Sequence, residues 1–553
     1  MSQNLSILSK ARAEYQPKLP VALRNGPLKV TIEKGEATES VRDQDAIKSL
    51  FPNTYGAPVL SFGESENPVI MGNEVNVGVV LSGGQAPGGH NVIAGIFDAI
   101  KANQGGSKLY GFLGGPSGLE NAEYIEIDRL LMDQYRNTGG FDIIGSGRTK
   151  LETTEQFDKC IETAKKLKLD AIVIIGGDDS NTNGAILAEY FKSKNVSCSV
   201  IGVPKTIDGD LKNEYVETSF GFDTAVKTYS EMIGNIQRDA NSAKKYWHFI
   251  KLMGRSASHI GLEAALQTQP NICIISEEVK EKGQTLGQVI DGIADIVAAR
   301  AAAGKNFGVA LIPEGLVEFI PEFGVLIGEL NEALAHHEEE IKAAGETPEM
   351  VVVMPKYLTA ESATLLQSLP VSIQAQLMLD RDPHGNVQVS LIETEKLVIE
   401  MVAKNLAARS DFKGAFAALN HFFGYEGRCA APSNFDADYC YALGYSAAVL
   451  ALNSMTGYMS SVRNLTQGIE NWQAGGIPIT MMMNIERRHG EDKPVIQKAL
   501  VELDAAPFKY FVERRDQWAQ EEAYTYPGPI QYWGPTEVAD QTNFTIKLER
   551  GAM

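Results

Sequence analysis

Residues 174–183, IIGGDDSNTN, place two adjacent aspartates, Asp178 and Asp179, after an apolar run that ends in two glycines. A carboxylate at the end of a buried strand suits Mg²⁺, which takes one or two carboxylates and completes its octahedron with water and phosphate oxygens. The second carboxylate needs a nearby positive charge, because two like charges about 4 Å apart cost roughly 4 kcal/mol at an effective dielectric constant near 20. The structural alternative is that Asp179 caps the helix expected to follow.

A second candidate turn is rich in glycine. Residues 81–91, LSGGQAPGGHN, contain four glycines, whose backbone N–H groups can approach an anion at the positive end of a helix. The turn has neither the Walker Lys-Ser/Thr pair nor the GxGxxG dinucleotide pattern. A tight connection that binds no ligand therefore stays open as the alternative.

The third turn adds the groups that the first two lack. In PKTIDGD, residues 204–210, Lys205 supplies a counter-charge, and Asp208 and Asp210 supply carboxylates on either side of a glycine. Phosphoryl transfer needs positioned oxyanions, metal charge and a group that orients or deprotonates the attacking hydroxyl. Arg148, flanked by glycine in GSGRTK, could also reach the donor phosphates. Together the three turns indicate phosphoryl transfer.

The elements around these turns predict an α/β fold. Short apolar runs, each ending in a glycine- or proline-bearing turn, alternate with segments of helical spacing, which is typical of a parallel, doubly wound sheet. In such sheets ligands bind at the carboxyl ends of the strands. The series occurs twice, which predicts two similar Rossmann-like halves. The predicted strands are VNVGVVL, LYGF, DAIVII and CSVIGV in the first half, and YWHFIKL, NICIISEE and FGVALI in the second.

Changes in the sequence pattern along the chain indicate the domain boundaries. Residues 1–73 lack a sustained period and are interpreted as an N-terminal extension; residues 74–222 form the first α/β domain, expected to bind donor and metal. The second α/β domain, 223–426, is expected to bind the acceptor and to carry a helical insertion at about 316–404. Residues 427–553 return to the first domain and end in a C-terminal extension.

Composition excludes several classes of function. The 553 residues carry a formal net charge of −20, which disfavours nucleic acid and anionic membranes as partners. Five cysteines without a CxxC pair indicate reduced thiols. No segment has the pattern of a signal peptide or a membrane span, so a cytoplasmic location is expected.

Six motifs in order, GGQAPGGHN, GGDDSNTN, PKTIDGD, MGRSASH, PEG and HFFGYEGR, resemble the phosphofructokinase superfamily. The likeness to its long, pyrophosphate-dependent branch is greater, and it extends through NTYGAP near the start and NWQAGGIPITMMMN and YTYPGPIQYWG near the end. The resemblance implies a homodimer and a place in glycolysis or gluconeogenesis. It also implies reversible, Mg²⁺-dependent transfer from pyrophosphate to the 1-hydroxyl of fructose 6-phosphate.

The resemblance implies a role for each matching residue. Gly83 and Gly84 would contact the donor, Asp178 would hold Mg²⁺, and Asp208 would accept the proton of the sugar hydroxyl. The sugar-site residues that it implies are Thr206, Ile207, Met253, Gly254, Arg255, Glu314 and, around the 6-phosphate, Tyr425, Glu426, Gly427 and Arg428.

Lys245 and Tyr246 match positions that reach the sugar site of a neighbouring subunit. Tyr246 is a departure, because the ATP-using branch has an arginine there, so the partner's contact to the 6-phosphate must differ.

The resemblance also suggests why two aspartates are adjacent. ATP-using relatives have glycines in place of Asp179 and Lys205, which leaves room for the rest of the nucleotide. Here a carboxylate and an ammonium fill that space, and Lys205 is expected to offset Asp179 and contact pyrophosphate, so ATP is excluded. Two alternatives remain: an ATP-dependent sugar kinase, and a catalytically silent regulatory subunit, against which the presence of Asp178, Asp208 and Arg255 argues.

Overall fold

The computed structural model describes residues 11–378, 391–488, 491–530 and 542–552. The start of the predicted N-terminal extension, part of the predicted helical insertion (379–390) and the last four residues of the motif YTYPGPIQYWG lie outside these ranges. The described strands are β1 (Val30–Ala37), β2 (Pro58–Glu64), β3 (Asn76–Leu81), β4 (Lys108–Phe112), β5 (Tyr124–Glu126), β6 (Ala171–Gly176), β7 (Ser199–Pro204), β8 (Trp247–Leu252), β9 (Ile272–Cys273), β10 (Gly308–Pro313), β11 (Ala418–Phe423), β12 (Tyr458–Arg463), β13 (Gln473–Pro478), β14 (Met483–Arg488) and β15 (Glu491–Ile496).

The helices lie between and after these strands. They are α1 (Val21–Arg24), α2 (Gln44–Leu50), α3 (Gly89–Asn103), α4 (Pro116–Glu120), α5 (Arg129–Tyr135), α6 (Thr154–Leu167), α7 (Asp178–Ser193), α8 (Phe222–Ala243), α9 (His259–Thr268), α10 (Ser276–Glu281), α11 (Leu286–Ala302), α12 (Leu316–Phe319), α13 (Pro321–Lys342), α14 (Thr347–Val353), α15 (Ala360–Ser368), α16 (Val371–Leu377), α17 (Thr394–Ala408), α18 (Tyr425–Arg428), α19 (Asn434–Leu452), α20 (Ala506–Gln520) and α21 (Phe544–Glu549). Within the described ranges, none of these helices has the length and hydropathy needed to cross a bilayer.

The chain forms two compact units. Unit 1 comprises the described residues up to 228, Tyr425–Ala499 and the described residues from 530 onward, and unit 2 comprises Tyr229–Gly424 and Leu500–Pro529. The first division falls inside α8, a few residues after the predicted boundary at 222. The fold class predicted from the sequence, two α/β halves with additions at both ends, is confirmed.

Unit 1 is built on a nine-stranded sheet with the order β1-β2-β13-β12-β7-β6-β3-β4-β5. Its five central strands, β12, β7, β6, β3 and β4, are mutually parallel. Each strand outside this group pairs antiparallel with its neighbours. β6 and β7 are buried along their whole length, which explains why their sequences are continuous apolar runs. The predicted parallel core is therefore present.

The predicted N-terminal extension contributes β1 and β2 to one edge of this sheet. Only Val30 of β1 is buried, so the alternation of apolar and polar residues that marks a strand is absent from its sequence. This explains why no period was detected in residues 1–73.

Helices α3 and α19, from two different sequence segments of unit 1, cross at close range. A Cβ on Gly444 of α19 would lie 2.0 Å from the carbonyl oxygen of Val92 on α3, and a Cβ on Gly95 of α3 would lie 2.2 Å from the carbonyl oxygen of Tyr441. Glycine at both positions lets the two backbones approach more closely than any side chain would permit. α19 is thereby held against the helix that follows the glycine-rich turn.

Unit 2 has a four-stranded parallel sheet with the order β11-β8-β10-β9. The predicted strand NICIISEE is only partly correct, because β9 spans Ile272–Cys273 and α10 already begins at Ser276. The described helices of the predicted insertion pack on this sheet: Leu326 and Leu330 share one apolar core with Trp247 and Phe249.

Candidate active site

The register of unit 1 brings the three predicted turns to one edge of its sheet. Leu81, the last residue of β3, pairs with Ile175 of β6, and Gly176, the last residue of β6, pairs with Pro204 of β7. The three strands therefore end side by side, and the chain segments that follow them are neighbours. This arrangement confirms the expected layout of the turns.

The glycine-rich turn lies against three cationic side chains. A Cβ on Gly84 would lie 3.0 Å from Arg428 Nη1 and 3.5 Å from Arg148 Nη2, and a Cβ on Gly83 would lie 3.5 Å from Lys205 Nζ. The N–H of Gly83 donates to the carbonyl oxygen of Gly147 at 2.9 Å, so this N–H is not directed at a ligand. The cations, rather than that N–H, give the turn its attraction for anions.

Lys205 is buried within this group and donates from Nζ to the carbonyl oxygen of Gly84 at 2.7 Å. Burial, with a smaller contribution from the charge of Arg428, lowers the pKa of Lys205 to about 8, against the opposing effect of the carboxylates of Asp208 and Asp178. A desolvated ammonium is strongly attracted to a doubly charged phosphate, because neither water nor a full counter-ion screens it.

Asp208 has a buried carboxylate oxygen that makes no hydrogen bond within the described part of the chain. Its Oδ1 is buried and has no hydrogen-bond partner among the described residues, while Arg428 Nη2 lies 3.8 Å away. Its N–H donates to the Thr206 hydroxyl at 3.0 Å, which fixes the turn, and Ile207 between them is fully buried. A buried carboxylate oxygen without a donor is unfavourable unless a ligand supplies one, and a sugar hydroxyl is such a donor.

Asp178 and Asp210 both lie near the ammonium of Lys498. Lys498 Nζ lies 3.7 Å from Asp178 Oδ2 and 3.9 Å from Asp210 Oδ2. Burial, with smaller contributions from the charges of Asp208 and Asp178, raises the pKa of Asp210 to about 7, and Lys498 opposes this. Asp210 appears in the predicted motif without a role, and Lys498 was missed altogether because no sequence pattern connects it to these turns.

The residues fit a hard divalent cation. The described ranges contain no group of three or more His, Cys, Asp or Glu that could enclose a metal. Mg²⁺ does not require one, since it is usually held by one or two carboxylates and by the phosphates of its substrate. Asp178 and Asp210, which already share one positive charge, provide such oxygen donors.

Asp179 does not cap α7. The helix begins at Asp178 with Gly177 at the capping position, and Asp179 lies in the first turn, half-exposed and 3.8 Å from Lys150 Nζ. The capping alternative is therefore wrong. Lys150 is a counter-ion to Asp179, a role that the sequence analysis expected of Lys205.

Unit 2 presents its predicted residues at the carboxyl ends of β8 and β10. Glu314 is buried and accepts a hydrogen bond from the N–H of Gly254 at 2.9 Å. Met253 is buried beside them, and Arg255 is exposed, with Nε 3.8 Å from Glu318. The structure thus brings together all four predicted residues of this unit that follow a strand.

Lys245 and Tyr246 lie at the other end of β8. This strand is six residues long, so they are roughly 20 Å from Met253 along the strand. Both are exposed, and neither is brought to the site of its own chain.

Helix α18 contains the last predicted group. Tyr425 and Glu426 are exposed and Gly427 is buried. Arg428 extends instead to the glycine-rich turn, where its Nη1 donates to the carbonyl oxygen of Gln85 at 3.2 Å.

Comparison with known proteins identifies the family to which this chain belongs. Residues 76–451, most of the chain, match the family model described as "Phosphofructokinase". The chain belongs to the phosphofructokinase family. The matched residues run from β3 to α19 and so include all three turns of unit 1, the strand ends of unit 2 and α18.

Relatives within this family match almost the whole chain. The protein named pyrophosphate--fructose 6-phosphate 1-phosphotransferase from Treponema pallidum (strain Nichols) is 54% identical over 99% of this chain and 98% of its own. The protein of the same name from Porphyromonas gingivalis is 55% identical over 99% of both chains. Among solved structures, the pyrophosphate-dependent phosphofructokinase from Marinobacter aquaeolei has a TM-score of 0.54 at 16% identity, covering 81% of this chain and 93% of that one, which shows a shared phosphofructokinase fold.

Proposed function

We infer that the protein is a pyrophosphate-dependent phosphofructokinase. It transfers a phosphoryl group from pyrophosphate to the 1-hydroxyl of fructose 6-phosphate, forming fructose 1,6-bisphosphate and phosphate in a reversible, glycolytic reaction. The observation that carries this inference is the identity of 54–55% over 99% of the chain with two proteins named for that reaction. The match covers the two ends of the chain as well as the α/β halves, which supports a shared donor as well as a shared acceptor.

We propose that Asp208 is the general base. Its buried and unpartnered Oδ1 accepts the hydrogen bond of the 1-hydroxyl and then its proton as the new P–O bond forms. The guanidinium of Arg428, 3.8 Å away, places a positive charge beside this carboxylate.

The transferring phosphoryl group is stabilised by fixed positive charge. Lys205 and Arg148 lie around Gly83 and Gly84, where pyrophosphate is proposed to bind, and Arg255 of unit 2 is proposed to spread its charge over the equatorial oxygens. Mg²⁺, when held by Asp178 and Asp210, would neutralise and orient the pyrophosphate oxygens.

Sugar recognition is assigned to the remaining residues. We propose that Glu314, fixed by the N–H of Gly254, accepts hydrogen bonds from sugar hydroxyls. Thr206, Ile207 and Met253 contribute contacts with the sugar, and Tyr425, Glu426 and Gly427 of α18 contribute to binding of the 6-phosphate.

A homodimer is proposed because Lys245 and Tyr246 are far along β8 from the other sugar-site residues of their own chain. Exposed at the amino end of the strand, they are suited to the sugar site of a partner subunit. We also propose a cytoplasmic location, in keeping with phosphorylated substrates and with five free cysteines.

Selection of pyrophosphate over ATP is assigned to Asp179 and Lys205. The buried Lys205 side chain fills space beside Gly83 and Gly84, and the Asp179 carboxylate repels a further phosphate. Together they leave room for a donor of two phosphates only.

The decisive experiment is a coupled assay of the purified protein with Mg²⁺, fructose 6-phosphate and either pyrophosphate or ATP. We expect turnover with pyrophosphate and little with ATP. Efficient turnover with ATP and none with pyrophosphate would refute the donor assignment, and inactivity with both donors would favour the regulatory subunit.

Two variants assign the roles within the same assay. Asp208→Asn should lower kcat by about 10²–10⁴ with a modest change in KM for the sugar. Joint replacement of Asp179 and Lys205 by glycine should shift the ratio of kcat/KM values toward ATP by at least about tenfold, which corresponds to about 1.4 kcal/mol. An unchanged ratio would show that these two residues do not select the donor.

A further inference from the structure

A β-hairpin near the end of unit 1 carries a lysine into the metal site. β14 and β15 pair along their length, and the segment after β15 is fixed at three points around Lys498. The N–H of Ile496 donates to the hydroxyl of Thr182 on α7 at 3.1 Å, and the N–H of Gln497 to the carbonyl oxygen of Met482 at 2.9 Å. The N–H of Ala499 donates to the carbonyl oxygen of Asp210 at 2.7 Å. Backbone bonds on both sides therefore set the position of Lys498.

The hairpin is fixed by packing as well. Ile496 and Met483 are buried in one apolar core with Ala185 of α7, the helix that begins at Asp178. The same core contains Leu211, the residue after Asp210. The strand that delivers Lys498 is thus packed on the two elements that present the carboxylates.

The ammonium of Lys498 lies between the two carboxylates without being enclosed by them. Its distances of 3.7 Å to Asp178 and 3.9 Å to Asp210 exceed those of direct hydrogen bonds, and its side chain is one-third exposed. Asp178 and Asp210 are less exposed, at 19% and 7%. Of the three side chains, that of Lys498 is therefore the most exposed to solvent.

We propose that Lys498 is a positioning residue that competes with the divalent metal ion for Asp178. In the metal-free enzyme its ammonium offsets part of the charge of the carboxylate pair and keeps both groups in place. When metal and pyrophosphate bind, the ammonium leaves Asp178 and pairs with a phosphate oxygen. This inference rests on the proposed role of Asp178 as a metal ligand.

Charge and geometry make the two cations exclusive. Mg²⁺ binds carboxylate oxygens at about 2.0–2.1 Å. A metal ion on Asp178 would therefore lie close to the ammonium of Lys498, which is 3.7 Å from Oδ2 of the same carboxylate. Two cations that share one carboxylate repel each other at such short range. The bare metal must therefore displace the ammonium, whereas the metal bound to pyrophosphate brings phosphate oxygens that accept it. The consequence is that metal alone binds weakly, and metal with pyrophosphate binds well.

Direct binding of Mn²⁺ to the full-length protein without pyrophosphate tests this competition, followed by the electron paramagnetic resonance signal of the free ion. We expect Lys498→Met to bind Mn²⁺ about three- to tenfold more tightly than the wild type, since the competing charge is removed from a partly exposed site. Lys498→Arg should bind Mn²⁺ as the wild type does. The matched control is Lys493→Met, which removes a lysine of the same hairpin that pairs with Glu152 at 3.8 Å and should leave Mn²⁺ affinity unchanged.

Binding of pyrophosphate in the presence of Mg²⁺ gives a second readout. If Lys498 had only a structural role, its replacement would not change this binding and the binding of Mn²⁺ alone in opposite directions. Lys498→Met should weaken this binding while it strengthens that of Mn²⁺ alone. Thermal unfolding of each variant establishes that it is folded. Equal or weaker Mn²⁺ affinity in Lys498→Met than in Lys493→Met, including no binding by either, overturns the inference.

A further variant separates this inference from the proposed function. Asp178→Asn should abolish Mn²⁺ binding if Asp178 holds the metal. Loss of binding in Asp178→Asn without tighter binding in Lys498→Met overturns only the competition. Undiminished binding in Asp178→Asn overturns the metal site itself, and the inference with it.

Discussion

The guanidinium of Arg428 lies 3.8 Å from the carboxylate of Asp208, and it reaches the glycine-rich turn through the carbonyl oxygen of Gln85. The resemblance to relatives implies that Arg428 binds the 6-phosphate of the sugar. Its position in the structure is beside the proposed base and the proposed donor site. These two roles predict different kinetics.

Replacement of Arg428 by methionine should lower kcat by about 10²–10³, as expected when a charge that acts at the reacting centre is removed. Steady-state kinetics with fructose 6-phosphate and pyrophosphate provide the measurement. Arg487→Met, on an exposed part of the β14–β15 hairpin, is the matched control. A large rise in KM for the sugar with kcat unchanged would instead support binding of the distal phosphate.

The pKa of Lys205 predicts a limit at high pH. Burial lowers this pKa to about 8, so the ammonium is lost as pH rises through that value. Because the free enzyme needs the charged form to bind pyrophosphate, kcat/KM for pyrophosphate should fall above about pH 8. Lys205→Arg remains protonated and should not show this decline, even if its activity is lower overall. Parallel pH profiles for the two proteins would exclude Lys205 as the titrating group.

The lowered pKa of His90, in the motif of the glycine-rich turn, predicts that the folded protein loses stability in acid. Burial lowers its pKa from 6.5 to about 4, against the smaller opposing effect of Asp142. Its Nδ1 lies 2.8 Å from the hydroxyl of Thr138, and the N–H of Ile143 is directed at its Nε2. Between about pH 6.5 and pH 4 the unfolded chain binds a proton that the folded protein does not, so stability falls as pH falls.

The loss assigned to His90 is on the order of 3 kcal/mol across that window. Urea unfolding at a series of pH values, compared between wild type and His90→Gln, isolates it from the other titrating groups. The free energy of unfolding of the variant should decline less steeply below pH 6.5. Curves of equal slope would show that His90 is not responsible.

The crossing of α3 and α19 predicts a strong effect of one methyl group. Gly444→Ala would put its Cβ 2.0 Å from the carbonyl oxygen of Val92, so the helices must separate and the protein should lose about 1–3 kcal/mol of stability or more. Gly292→Ala is the matched control, since α11 leaves open space around it and alanine is the better helix former. It should raise the unfolding temperature. Similar melting temperatures for the two variants would contradict a tight crossing.

Much of unit 1 was predictable because its signals are local. β3, β6 and β7 are largely apolar runs with a glycine or proline at, or within two residues of, their ends, so their type and approximate end points could be read from the sequence. The adjacency of their turns follows from the general rule for parallel sheets.

The parts that were missed depend on long-range packing. α19 is apolar on all sides because it is buried on all sides, so no amphipathic period marks it. Lys498 is an ordinary lysine in the sequence, and only the pairing of β14 with β15 and the hydrogen bond from Ala499 bring it to Asp178. The counter-ion of Asp179 was also assigned wrongly, since Lys205 was expected and the structure places Lys150 there, 3.8 Å away.

Strand β8 has Lys245 and Tyr246 before its first residue and Met253, Gly254 and Arg255 after its last. In the dimer that we propose, a substitution at Tyr246 would therefore inactivate the active site of the neighbouring subunit and leave that of its own chain intact. A substitution at Asp208 would inactivate only the active site of its own chain. Two inactive forms of the enzyme, produced together in one cell, would complement each other and restore activity that neither has when produced alone.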